Sequence, residues 1–337
     1  MDIKPFVTTG IGSLPHTDAK EACSLIVSSF DIVFWPQLPR LSFRESMLAQ
    51  FAEGMPNIIV DEDNNTIYAQ RHEEDTTGFY ESYSEDKRIA MSKDCAKGLY
   101  EFISSFRNRR FDTIKGQIAG PLTLTLSIKD GSGRYIFFDE EIREIALMSL
   151  KAKILWQIDV LRQFSDNIII FIDEPIFTAI GSTTYLGVSE DEVLRILTDC
   201  VELIRGQGAF SCIHCCGKSD WGLVIKSGVD MLSFDAFEYF ETFSLYSNDI
   251  KGFLDKGGYL CWGIVPTSEI IKDVSYRDVL AKFHDSVDKL SNLIDKGTLL
   301  HHSILSPSCG MGSRDIDDVK KILDIQKALK EELTKSL

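Results

Sequence analysis

The 337-residue sequence predicts an α/β fold, a (β/α)₈ TIM barrel with a small hairpin insertion after the second strand. Three observations carry that expectation. Short β-branched or aromatic runs alternate with longer amphipathic stretches, the pattern of parallel βαβ units. Eight such runs can be counted, and the last is followed by a closing helix. The first turn, Gly10-Ile11-Gly12-Ser13-Leu14-Pro15, lacks the third glycine of a dinucleotide fingerprint, so a nicotinamide-binding sheet is the poorer match.

The expected strands cover residues 7–12, 31–35, 113–119, 168–172, 209–214, 229–234, 259–265 and 303–306. Helical patterns fill 87–107, 140–164, 190–206, 276–294 and 314–332 between and after them. The chain between the second and third strands is too long for one helix. Residues 57–60 and 66–69 read as a surface hairpin, and the acidic stretch that follows reads as a loop. This insertion, 55–85, belongs to the barrel, and 1–337 is read as a single catalytic domain.

Composition narrows the partners. A net charge of −15 argues against nucleic acid, whose phosphates need a basic footprint. No apolar run approaches the roughly 18–20 residues that span a bilayer, so no membrane partner is expected. Met1-Asp2-Ile3-Lys4-Pro5 lacks the layout of a signal peptide, and a cytoplasmic location is the expectation. Eight cysteines in such a chain do not make a disulfide framework. Cys23, Cys95, Cys200 and Cys261 sit in apolar or helical contexts and read as buried packing. The cluster Cys212, Cys215 and Cys216 around His214 calls for a chemical reading.

In a barrel of this kind the active site forms where strands end. Ser13 follows the first strand, Asp173 and Glu174 the fourth, His214 and Cys216 the fifth, Asp235 the sixth and Cys309 the eighth. His214 and Cys216 are two residues apart, on one side of an extended segment, while Cys215 points the other way and packs. With Cys309 and an oxygen ligand they compose a tetrahedral zinc site, since soft thiolates favour zinc over magnesium or calcium. Asp235 is the preferred fourth ligand because it ends its strand; Glu238, one turn beyond, is the alternative. Zinc with two thiolate ligands suits holding a substrate thiol in its deprotonated form better than activating water. Asp173 and Glu174 are the catalytic candidates, placed to grip an amino group, although the pair also reads as solvated loop charges. Gly12 and Ser13 are candidates for a substrate carboxylate, although Gly10–Gly12 also reads as a tight turn into a helix cap.

The motifs Thr8-Thr9-Gly10-Ile11-Gly12-Ser13-Leu14-Pro15, Gly116-Gln117-Ile118-Ala119-Gly120-Pro121-Leu122-Thr123, Ile172-Asp173-Glu174-Pro175, Ile213-His214-Cys215-Cys216 and Ser306-Pro307-Ser308-Cys309-Gly310 occur in that order. Together they resemble the C-terminal catalytic barrel of the cobalamin-independent methionine synthase family, within the superfamily that includes uroporphyrinogen decarboxylase. The resemblance implies zinc on His214, Cys216 and Cys309, with Asp235 where the family uses glutamate. It also implies homocysteine bound through Ser13 and Asp173. The family's Gly-Glu-Pro segment after strand two becomes Pro36-Gln37-Leu38-Pro39 here, which puts Gln37 at a substrate-binding position. The family's histidine after strand seven is replaced within 265–268, and its N-terminal, folate-binding barrel is not among these residues. The expected activity is therefore zinc-dependent methyl transfer to a thiol, most simply homocysteine, from a folate or a methyl-corrinoid, free or protein-bound. The rival readings are a methylcobalamin:thiol methyltransferase with another acceptor, a porphyrin decarboxylase relying on Arg40 and Arg44, and a non-catalytic metal- or corrinoid-binding protein.

Overall fold

The computed structural model describes residues 2–180 and 182–335. Its strands are β1 (Val33–Phe34), β2 (Ile58–Asp61), β3 (Thr66–Ala69), β4 (Ile114–Ala119), β5 (Lys129–Asp130), β6 (Ile168–Asp173), β7 (Phe210–Cys215), β8 (Met231–Phe234), β9 (Tyr259–Val265) and β10 (Ser303–Pro307). Seven of them form one sheet in the order β1-β4-β6-β7-β8-β9-β10, every adjacent pair parallel. The other three, β2, β3 and β5, form a small separate sheet.

Alternation along the strands sorts side chains into two cores. Ile168, Ile170 and Ile172 of β6, with Ile213 of β7, Leu232 of β8 and Leu260 of β9, join the core shared with the helices. Ile169 and Phe171 of β6, with Cys212 of β7, Met231 of β8, Cys261 of β9 and Ile304 of β10, face the opposite way into a second core. Both faces are covered, which is why β4 and β6 are buried at every position. Helices such as Glu140–Leu161, Glu190–Gly206 and Tyr276–Leu290 pack on the outer face. Asp139, Ser189 and the Ser275/Asp278 capping box satisfy their first-turn N–H groups.

The closed eight-stranded barrel expected above does not form. The regular sheet has seven strands and is open, and the strand expected over 7–12 is absent from it. The reason is local. Phe6 has φ 59°, which interrupts an extended run at its start. Residues 7–9 then lie between the two edge strands and contact both, with Thr9 N–H donating to Leu305 O (3.0 Å) and Ile32 N–H to Thr8 O (3.0 Å). On the β1 side, however, side chains replace the ladder. The Thr8 N–H donates to the Asp31 carboxylate (2.8 Å), and the Thr9 hydroxyl donates to Ile32 O (3.1 Å). Such side-chain competition ends regular pairing.

The insertion contains the expected hairpin: β2 and β3 pair antiparallel from Ile58↔Ala69 to Asp61↔Thr66, with Asn65 at φ 50° in the turn. The acidic stretch expected as a loop is instead the helix Glu73–Ser82, whose Glu73, Glu74 and Asp75 favour its positive N-terminal end. The long helix expected over 87–107 shrinks to Lys97–Phe106. No helix among the described residues is long and apolar enough to cross a membrane.

Candidate metal centre

Strand register builds the centre. Asp173 on β6 pairs with His214 on β7, which pairs with Ser233 on β8. These three side chains therefore stand side by side at one level on the same face of the sheet. His214 Nδ1 lies 2.9 Å from Ser233 Oγ, while its Nε2 is buried with no hydrogen-bond partner. Cys216 follows two residues later on the same side. Cys309 arrives from the end of β10, where the register shifts between Ser306 and Pro307 and Ser308 N–H donates to Val265 O (2.8 Å). The ligand atoms of His214, Cys216 and Cys309 all lie within 4.8 Å of one another.

The hydrogen bond from Cys309 holds Cys216 far below an ordinary thiol, with His214 helping, and the same contact with Cys216 drives Cys309 upward. Burial lowers the affinity of His214 for a proton, but the neighbouring Cys216 and Asp173 outweigh it and raise its pKa. Burial lifts Asp173 to about 6 against the pull of His214 and Lys115, and its Oδ1 has no hydrogen-bond partner. Two buried, unpartnered polar atoms in one cluster are unusual unless a ligand completes them.

The residues fit zinc. A tetrahedral ion with bonds of about 2.0 Å to nitrogen and 2.3 Å to sulfur holds neighbouring ligand atoms roughly 3.5–3.8 Å apart. The three donors meet that with small closure, and Ser233 is the outer partner that orients the imidazole. The expected fourth ligand, Asp235, stands near enough to Cys216 for that charge to help burial raise its pKa, but outside the three-donor group. Asp235 Oδ1 instead accepts the N–H groups of Phe237 (2.9 Å) and Glu238 (2.7 Å), an Asx turn that caps the chain leaving β8. Burial lifts it to about 7. Glu238 Oε1 accepts from the Ser268 hydroxyl (2.7 Å) on an exposed edge. Neither joins the three-ligand group.

A pocket of about 350 Å³ opens over the cluster, lined among others by Ser13, Gln37, Glu45, Met47, Asp173, His214, Cys216 and Cys309. The Ser13 hydroxyl oxygen accepts from Gly312 N–H (3.2 Å), so its own hydrogen is left to donate. The Gln37 N–H donates to Gly12 O (3.1 Å), but Gly12 itself is not among the lining residues.

Glu174 is placed elsewhere. Fully buried, its carboxylate accepts from Leu122 N–H (2.9 Å), Thr123 N–H (2.7 Å) and the Thr123 hydroxyl (2.6 Å). It caps the helix Pro121–Thr125 and does not line the pocket. In the segment 265–268, Thr267 Oγ1 lies 3.1 Å from Ser308 Oγ, also outside the lining.

Sequence reasoning missed Ser233, whose signal was its position two residues before Asp235 on the same strand face. It also missed Lys115, a fully buried charge in β4 that donates to Ile11 O (2.7 Å) and Gln117 Oε1 (3.0 Å) beneath the pocket. A lysine inside an otherwise apolar strand was the available clue. Cys23, Cys95, Cys200, Cys215 and Cys261 are buried, and Cys215 faces the helix-side core.

No family model matches the chain, and no curated protein matches it. Among solved structures it is similar to the crystal structure of 3-keto-D-glucoside 4-epimerase, YcjR, from E. coli, in its apo form. The TM-score is 0.39 at 10% sequence identity, over 70% of this chain and 85% of that one. Likeness at that level carries no argument about activity.

Proposed function

We propose that the chain is a zinc-dependent thiol S-methyltransferase, with homocysteine as acceptor and a folate or methyl-corrinoid as donor. The observation that carries the reading is one imidazole and two thiols gathered at a pocket floor, with His214 Nε2 and Asp173 Oδ1 both buried and unpartnered. His214, Cys216 and Cys309 would hold the zinc, whose coordination would deprotonate a thiol and leave its sulfur nucleophilic. The chain's own groups do the rest. Asp173 Oδ1 accepts from the substrate ammonium, and Ser13 donates its hydroxyl to the substrate carboxylate. The apolar side chains Ile11, Met47 and Pro175 in the lining exclude water from the sulfur.

Among the described residues no lysine or arginine lines the pocket, which disfavours a porphyrin or a polyglutamate tail. Arg40 donates to the carbonyls of Gly312 (3.2 Å) and Arg314 (2.8 Å), and Arg44 pairs with Glu62 at 2.5 Å.

Metal content after zinc loading, followed by X-ray absorption with and without homocysteine, tests the reading. About one zinc per chain, gaining a sulfur neighbour on addition of homocysteine, is expected. A chain that stays metal-free when zinc is supplied would overturn it. A second expectation concerns Ser233→Ala, which frees the imidazole to rotate. Loss of such an outer-shell partner weakens metal affinity by roughly 10–100-fold. Chelator competition would read it, and an unchanged affinity would remove Ser233 from the centre.

A further inference from the structure

An amide side chain offers a donor and an acceptor of nearly the same shape, and what it recognises depends on which end faces the ligand. Gln37 lines the pocket, and its Nε2 donates to Gln50 Oε1 at 2.7 Å. Gln50 is fully buried, and its own Nε2 donates to the carbonyl of Cys95 at 2.5 Å and to Glu45 Oε2 at 3.5 Å. A backbone carbonyl only accepts. Turning the Gln50 amide over would set its oxygen against the Cys95 carbonyl, so Gln50 has one orientation. Its Oε1 must then face Gln37, and Gln37 must answer with Nε2. That leaves Gln37 Oε1 for the pocket, where it lies above the Gly12 backbone, 2.7 Å from where a Cβ on Gly12 would stand. Within the described residues this oxygen accepts no hydrogen bond.

We propose that Gln50 is a positioning residue that locks Gln37 as a pocket acceptor. Together with the unpartnered Asp173 Oδ1, the locked Gln37 makes the pocket select thiols that carry an ammonium group. Glu45 secures the lock: its carboxylate accepts from Lys97 N–H (2.6 Å) and Leu38 N–H (3.3 Å), tying the loop that carries Gln37 to the helix Lys97–Phe106. This inference rests on the thiol reading above.

The test is calorimetric binding of L-homocysteine and of 4-sulfanylbutanoate, its analogue without the ammonium, to the zinc-loaded protein. The wild type should favour homocysteine. Gln50→Met, similar in length but without polar ends, should cut that preference about tenfold, the worth of one hydrogen bond to a charged group. In the Gln37→Leu background the pocket acceptor is already gone, so the preference starts lower and Gln50→Met should reduce it no further. Gln50→Glu, whose protonated carboxyl donates to Cys95 O and still accepts from Gln37, should retain the wild-type preference and serves if Gln50→Met does not fold. A preference insensitive to Gln50→Met, or reduced equally in both backgrounds, would overturn the lock alone. Failure of either thiol to bind the zinc-loaded wild type would overturn the thiol reading and the lock with it.

Discussion

Cys309→Ser should weaken zinc binding by about a thousandfold and leave the fold in place. The three protein donors come from the ends of β7 and β10, and removing one thiolate leaves His214 and Cys216 alone on one side of the ion. A thousandfold is about 4 kcal/mol, a fair share of the roughly 10–16 kcal/mol that full four-ligand zinc sites reach. The loss exceeds that expected for Ser233→Ala because a bond to the metal goes, not its outer support. Stability of the metal-free protein should change little, since Cys309 is only partly buried, in the loop after β10, and serine keeps its shape. Cys216→Ser should behave alike. Cys215→Ser, on the opposite face of the same strand, should leave zinc affinity untouched while costing stability in the helix-side core. Competition with a chromophoric chelator, paired with urea unfolding of the apo forms, separates the three. Retention of wild-type affinity by Cys309→Ser would remove the centre from the argument.

Glu174→Leu should be among the most destabilising single changes in the chain, costing about 3–5 kcal/mol. The substitution strands two backbone N–H groups and one hydroxyl at the start of the helix Pro121–Thr125, each having lost a bond to a carboxylate worth roughly 1.5–3 kcal/mol. Gly120→Ala should mimic it, because a Cβ at that position would lie 2.1 Å from the Glu174 carboxyl carbon. The same residue gives the wild type a pH signature. Burial lifts Glu174 from 4.5 to about 7, and burial likewise lifts Glu45 from 4.5 to about 7. Between those values the folded chain holds a proton that the unfolded chain releases. The stability from each carboxyl is full below about pH 4.5 and is lost as pH rises through about 7. At about 1.4 kcal/mol per pKa unit, each contributes on the order of 3 kcal/mol across that window. Urea midpoints between pH 7.5 and pH 5 should therefore rise as the pH falls, and Glu174→Leu should flatten the rise. A rise that Glu174→Leu leaves as steep as in the wild type would show that Glu174 stays ionised in the folded protein.

Both expectations turn on where a side chain's hydrogen bonds go, and that is where sequence reading and structure part. Glu174 and Asp235 look alike in sequence: acids at strand ends, facing a supposed mouth. In the fold each meets backbone N–H groups before it meets the pocket, Glu174 those of Leu122 and Thr123 and Asp235 those of Phe237 and Glu238. Asp173, one residue before Glu174, turns to the pocket because the strand pleat sends neighbours to opposite faces. The alternation was readable; the arrival of the helix Pro121–Thr125 was not.

The sequence by itself determined the parallel strands, because short apolar runs such as 168–172 and 259–265 alternate with longer amphipathic stretches. It determined that His214 and Cys216 share a side, since a two-residue spacing in an extended segment allows nothing else. It also located the hairpin of the insertion. Tertiary structure alone decided that the sheet stays open, through Asp31 and Thr9 capturing backbone groups that a ladder would have used. It decided that Ser233 meets the imidazole, that Asp235 Oδ1 is engaged by backbone N–H groups, and that Gln37 meets Gln50. Periodicity is a property of the chain, whereas each of these outcomes depends on which donor or acceptor a distant segment brings within 3 Å or so, the reach of a hydrogen bond.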